Sequence, residues 1–146
     1  MQEIEYREMS LNDYDEVIEL MKITPGVTVR EADSRDATKR YFERNPGLSF
    51  VAKVNEEIVG CVMCGHDGRR GYLQHLIVKA EERRKGIGNG LVSRCLDALQ
   101  SLGIYKTHIH VLESNDLAND YWPSNGWERR NEIYIYSYNR SENANA

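Results

Sequence analysis

Residues 71–103 read GYLQHLIVKAEERRKGIGNGLVSRCLDALQSLG. A run rich in Leu, Ile and Val crosses a charged turn and enters an apolar-periodic segment on three glycines. Ile87, Leu91, Val92, Cys95, Leu96, Leu99 and Leu102 recur at helical spacing and make one stripe, and Gly103 is placed to end the helix. A strand that feeds a long amphipathic helix through a short turn commits the chain to sheet packed against helix. The turn itself is odd. Arg83, Arg84 and Lys85 stand where the helix dipole is already positive. Either this is a solvated basic turn, or an anion belongs on it.

The rest of the chain alternates in the same way. EIEYREM reads as a first strand, and Ser10 with Asp13 resembles a capping box ahead of Tyr14, Val17, Ile18 and Met21 at helical spacing. Pro25 and Gly26 break that helix. A second helix is expected from about Asp33 to Arg44, stopped by Pro46. LSFVAKVNEEIVGCVMCG reads as a hairpin turning near Asn55 and Glu56, and GHDGRRG as a second turn into the strand YLQHLIV. YKTHIHVL is expected to be a strand, SNDLANDYWPSNG a short helix ending near Gly126, and EIYIYSYN a final strand. No repeat or linker divides the chain, so the expectation is one mixed α/β domain over residues 1–140, followed by a polar, disordered tail at 141–146.

The totals narrow the function classes. At 146 residues, 40% hydrophobic and 29% charged, the chain has the size and composition of one globular domain. No stretch approaches the roughly 20 apolar residues of a membrane helix. The start, MQEIEYREMS, lacks an apolar signal segment, so the expectation is a cytoplasmic protein without a membrane partner. A net charge of −4 gives no support to nucleic-acid binding. Cys61 and Cys64 form a CxxC within a strand, which turns them to opposite faces, and no second pair follows. All three cysteines, with Cys95, read as reduced structural thiols, and no metal is expected.

Three phosphate-binding patterns compete for the basic turn. A P-loop needs G-x-x-x-x-G-K-[ST], which is absent, and a dinucleotide fingerprint needs a third glycine where Leu91 stands. What remains is R-x-x-G-x-G, from Arg83 through Gly86 to Gly88. Glycines admit a ligand close to the backbone, and the helix's first N–H groups have no partner of their own. Together with Arg84 and Lys85 they would cradle a pyrophosphate.

The chain resembles the GNAT superfamily of N-acetyltransferases, which bind acetyl-CoA on such a loop. The resemblance spans nearly the whole chain and has a second signature: Asn115 and Ala118, then Tyr121-Trp122, then Gly126-Trp127. It implies a central, mostly antiparallel mixed sheet, splayed between two central strands and flanked by about four helices. It further implies that the pyrophosphate lies on Arg84, Lys85, Gly86, Ile87, Gly88 and Asn89, with Arg83 opening the motif. The pantetheine would lie along Leu76, Ile77 and Val78 as an added strand. Asn115, and Trp122 seven residues on, would border the cofactor.

The reaction sets the remaining requirements. A protonated amine cannot attack a thioester until a base removes a proton, and the tetrahedral oxyanion needs a donor, expected from a backbone N–H along Leu76–Val78. His110 and His75 are the candidate bases, with Glu113 behind them. Many members of the family carry a tyrosine acid where this chain has Trp122, whose indole N–H cannot practically release a proton. Tyr72 and Tyr121 are weak replacements, and solvent could protonate the thiolate. His66, Arg69 and Arg70 are candidate acceptor-binding residues in the GHDGRRG turn, against the plainer reading of a solvated hairpin turn. Tyr134, Tyr136 and Tyr138 read as sheet packing or a dimer surface, so a homodimer stays open. The expected activity is acetyl transfer from acetyl-CoA to a primary amine by direct attack in a ternary complex, the acceptor being a small-molecule or peptide amine that the sequence does not identify. The alternatives are a non-catalytic acyl-CoA-binding or regulatory module on the same scaffold and a nucleotide-binding enzyme.

Overall fold

The computed structural model describes residues 3–146. The chain divides after His110 into two compact units. The first holds β1 (Glu5–Glu8), α1 (Tyr14–Lys22), α2 (Arg35–Arg44), β2 (Phe50–Val54), β3 (Glu57–His66), β4 (Gly71–Val78), α3 (Ile87–Ser101) and β5 (Thr107–Ile109). The second holds α4 (Asp116–Ser124). The five strands lie side by side in chain order, all antiparallel except the parallel pair β4–β5.

Local chemistry sets the helix starts. Asp13 accepts the Ser10 N–H at 2.9 Å, as the sequence led one to expect, and both its oxygens also bind the Arg7 guanidinium at 2.7 and 2.8 Å. α2 begins two residues later than its expected start. Ser34 Oγ accepts the Ala37 N–H at 3.2 Å and caps the helix, while Asp33 closes a separate 3-10 turn, Glu31–Asp33. The β2–β3 hairpin turns on Asn55 and Glu56, both at positive φ, the geometry that matches the twist of the strands it joins.

Alternation along the strands sends two sets of side chains to two cores. Val51, Ile58, Cys61, Met63 and Ile77 pack with Met9 and with Val17, Leu20 and Met21 of α1. Each Val, Leu, Ile or Met among them contributes about 1.5–3 kcal/mol on full burial. Gly60 and Cys64 face the other way. The side chains of Ile87 and Leu91 approach Gly60, and the Cys64 thiol adjoins Cys95, so α3 covers this face. Cys61 and Cys64 are therefore divided between the two cores.

In the second unit, Ala118 N–H donates to Asn115 Oδ1 at 3.1 Å, capping α4. Trp122 is buried, with the Tyr121 and Trp127 rings 5.0 and 4.7 Å away. Two strand expectations need correction. β5 covers only Thr107–Ile109 of the segment YKTHIHVL, and residues 132–139 form no strand. Tyr134, Tyr136 and Tyr138 are 83%, 91% and 89% exposed, with Ile133 and Ile135 exposed between them. Alternation reports a side-chain period. A strand also requires a neighbour to take its N–H and C=O groups, and no ladder reaches this segment.

Candidate active site

The sheet opens along β4. Its pairing with β5 is confined to Gly71–Thr107, Tyr72–His108 and Leu73–Ile109. From Gln74 to Val78 that edge of β4 has no strand partner among the described residues. On its other edge β4 bulges: Cys61 pairs with Ile77 and Met63 with Gln74, so His75 and Leu76 oppose Val62 alone. A bulge takes backbone groups out of the ladder and re-aims side chains. His75 stands at this break with φ +52°, a left-handed conformation unusual for a side-chain-bearing residue.

The open edge leads into the basic turn. Arg83 Nε donates to the Val78 carbonyl at 3.2 Å, tying the turn to the strand's end, and Lys85 Nζ pairs with Glu82 at 2.7 Å. Arg84 is exposed at φ +64° and makes no hydrogen bond or ion pair among the described residues. Gly86 is the N-cap of α3 at φ +82°, a conformation glycine takes without strain. Gly86 has no side chain with which to cap this helix, and the helix start carries the positive end of the dipole. Gly90, two residues past the motif, has a different role. A Cβ on Gly90 would lie 2.6 Å from Cζ and 2.9 Å from Cε1 of Tyr6, so this residue lets β1 and α3 meet.

His75 is held from below. Its Nε2 lies 2.9 Å from Asp33 Oδ1, and both side chains are largely buried. Asp33 Oδ2 accepts the Arg30 N–H at 2.9 Å, and the Asp33 carbonyl accepts the Tyr14 hydroxyl at 2.6 Å. Burial alone would raise the Asp33 carboxyl, but its hydrogen bonds from His75 and Arg30 outweigh that and hold it below the usual carboxylate range. No motif marks Asp33 as a site residue. It lies 42 positions from His75, and its only local signal was a helix start.

The other candidates divide by environment. His110 lies exposed just past the end of β5. Tyr72 is half-buried on β4, its ring 5.8 Å from that of His108. The GHDGRRG turn satisfies itself: Asp67 accepts the Arg69 and Arg70 N–H groups at 2.8 Å each, which lowers its carboxyl, and His66 Nδ1 accepts the Gly68 N–H at 2.9 Å. The Arg69 and Arg70 side chains are exposed. Asn115, Tyr121 and Trp122 belong to the second unit, where Asn115 spends its side-chain carbonyl on capping and burial raises the Tyr121 hydroxyl. Among the described residues no group of three or more His, Cys, Asp or Glu side chains could hold a metal ion.

Residues 14–127 match the Acetyltransferase (GNAT) family. An acetyltransferase of Pectobacterium atrosepticum is 45% identical over 78 residues, 53% of this chain and 55% of that protein, so this match spans about half the relative's length. An acetyltransferase of Yersinia pestis is 33% identical over 132 residues, covering 90% of this chain and 93% of the other. Of solved structures, the PaiA N-acetyltransferase from Thermoplasma acidophilum in complex with coenzyme A superposes with a TM-score of 0.76 at 20% identity, over 85% of this chain and 89% of that one. That likeness is one of fold. With the family match running from α1 to Trp127, this chain belongs to the GNAT family of acetyltransferases.

Proposed function

We propose that the chain transfers the acetyl group of acetyl-CoA to a primary amine by direct attack in a ternary complex. The observation that carries this reading is one continuous surface in the first unit. Among the described residues, the edge of β4 from Gln74 to Val78 has no strand partner and leads to the N-terminus of α3, with glycine at its left-handed N-cap and Arg84 exposed beside it. An extended pantetheine fits the edge of a strand, where Leu76, Ile77 and Val78 supply backbone hydrogen bonds. A pyrophosphate fits the helix end, on the N–H groups from Gly86 onward and the charges of Arg84 and Lys85. Acetyl-CoA supplies the activated acyl group. The chain's own residues orient it, take a proton and stabilise charge.

Of the two histidines we favour His75 as the base, because the Asp33 contact fixes its ring at the point where the sheet opens. As the amine nitrogen bonds to the acetyl carbon and the carbon–sulfur bond breaks, the amine proton passes to the imidazole. In this reading a backbone N–H along Leu76–Val78, beside the bulge, meets the negative charge on the acetyl oxygen. The departing thiolate needs no strong acid, since a thiol pKa is about 8.5. Tyr72 or solvent completes the step. In this reading His66, Arg69 and Arg70 serve the acceptor. We place the protein in the cytoplasm, which suits its three free thiols, as a single functional domain over 1–140 with a polar tail.

Calorimetric titration of acetyl-CoA into the wild type and into Gly88→Trp, whose indole would fill the pyrophosphate site, tests the donor. Binding in the micromolar range, lost in the variant, is the expected result. No binding to either protein overturns the reading. Binding without amine-dependent thiol release would make the chain a non-catalytic acyl-CoA module.

A further inference from the structure

The bulge in β4 and the 3-10 turn before α2 bring together two side chains far apart in sequence: His75 Nε2 and Asp33 Oδ1, 2.9 Å apart. We infer that Asp33 is a positioning residue that fixes the tautomer of His75, so that Nδ1 is the atom that takes the amine proton. This inference rests on the acetyltransferase reading above and assigns a residue to it that no sequence motif marks.

Asp33 and His75 can share a hydrogen bond only if one of them donates. Asp33 is an acceptor at both oxygens: Oδ2 takes the Arg30 N–H at 2.9 Å, and Oδ1 is left for the imidazole. An ionised carboxylate has no proton to give, so Nε2 must carry the hydrogen. In the neutral ring the lone pair then belongs to Nδ1, which makes no hydrogen bond to the protein among the described residues. A ring with one nitrogen engaged as donor and the other vacant is a base of defined direction.

Rigidity is the second strand. Asp33 is fixed through its side chain by Arg30 and His75, through its own N–H to the Arg30 carbonyl at 2.9 Å, and through its carbonyl by the Tyr14 hydroxyl at 2.6 Å. His75 in turn sits at φ +52° within a strand. Holding a side-chain-bearing residue there costs about 1–3 kcal/mol, and such strain persists where surrounding contacts over-determine it. An unbulged β4 would alternate regularly through position 75. The bulge and the Asp33 contact together set the ring at the point where β4 loses its β5 partner.

Asp33→Asn separates positioning from folding. Asn keeps an acceptor for the Arg30 N–H, but turns its NH2 toward Nε2 and so forces the Nδ1–H tautomer, which has no lone pair where it is needed. His75→Asn removes the base while tolerating positive φ better than most residues. Thiol release from acetyl-CoA would be followed with n-butylamine, L-lysine and spermidine as amine probes, using the fastest. His75→Asn should lower kcat about 100-fold. Asp33→Asn should lower kcat tenfold or more with KM for acetyl-CoA within twofold, and the double variant should be no slower than His75→Asn alone.

Nitrogen-15 NMR of labelled histidine reads the tautomer without any turnover. The wild type should show Nε2 protonated and Nδ1 bare, and Asp33→Asn the reverse. A wild-type His75 protonated at Nδ1 overturns the inference even if every amine probe fails, as does an unchanged tautomer in Asp33→Asn. So does an Asp33→Asn kcat within twofold of wild type, or a double variant in which the two losses multiply. If His75→Asn retains full kcat, the base assignment falls and the role of Asp33 with it. The donor reading still stands or falls on the calorimetry.

Discussion

The face of the Tyr6 ring is covered by the Arg94 guanidinium at 3.8 Å, and the edge of that ring occupies the space a side chain at Gly90 would need. Arg94 also donates to the Gly90 carbonyl at 3.0 Å, so β1 and α3 are joined at one point by stacking, hydrogen bonding and close approach. Glycine inside a helix ordinarily weakens it by about 1 kcal/mol relative to alanine. Here that effect competes with a collision against a braced ring, and overpacking of a fixed contact costs about 1–3 kcal/mol. Gly90→Ala is therefore expected to destabilise the protein by about 1–2 kcal/mol in urea unfolding. Adding Tyr6→Leu, which shortens the obstructing group, should recover most of the loss. If the two substitutions simply add, the contact is not the reason for the glycine.

Arg84 separates a binding term from a stability term. It is exposed at φ +64°, a conformation that costs a side-chain-bearing residue about 1 kcal/mol, and it has no partner among the described residues. Arg84→Gly removes that strain but also loosens the unfolded chain. Stability should stay level or rise by up to about 1 kcal/mol. Acetyl-CoA affinity should fall about three- to tenfold at low salt, with the gap closing as ionic strength screens the charge. Calorimetry at two salt concentrations, beside a thermal melt, checks both. Unchanged affinity would remove Arg84 from the phosphate site.

Legibility followed sequence locality. The strand–turn–helix from Gly71 to Gly103, the Asn55–Glu56 hairpin and the Ser10–Asp13 box could all be read, because each is written in neighbouring residues. The glycine turn into α3 was legible for the same reason, although its motif did not announce the left-handed conformation of Gly86. Gly90 was given no role of its own, since nothing local announces the arrival of Tyr6 from β1. Asp33 was hidden more deeply. Its partner enters only through a bulge, and a bulge shifts side-chain alternation without a compositional mark. The segment 132–139 failed in the opposite direction: its alternation is strong, but no neighbour pairs with it.

The three cysteines should be silent in the native state. Cys61, Cys64 and Cys95 are fully buried. Burial pushes the Cys61 thiol up to about 12, and the adjoining Cys64 thiol together with burial raises Cys95. Since only the thiolate reacts, a chromogenic disulfide reagent at pH 8 should label none of them within minutes and all three after denaturation. Rapid labelling of one native thiol would show that its core opens locally. A covalent acetyl-cysteine route would need such an accessible thiolate, so the same result bears on direct attack by the amine.

Acid should act through Asp13. Its hydrogen bonds from Arg7, and a further one from the Ser10 N–H, hold its carboxyl below the ordinary value against the opposing effect of burial. A carboxyl depressed in the folded state contributes stability that is complete above the unfolded value, about 3.9, and is lost as pH falls through the folded one. Asp13→Asn removes that contribution at every pH. The variant should therefore be weaker than wild type by about 1–2 kcal/mol at pH 7, the lower part of the range for charged hydrogen bonds. Arg7 remains 36% exposed, and solvent screens its side of the pair. Between pH 4 and pH 2 the two unfolding curves should converge. Wild type and variant will both retain an acid-labile component, because Asp33 is depressed as well. Urea midpoints at pH 7, 5 and 3 decide the matter. A gap that stays constant down to pH 3 would mean that the variant loses packing or cap geometry, and that the ion pair is not what Asp13 contributes.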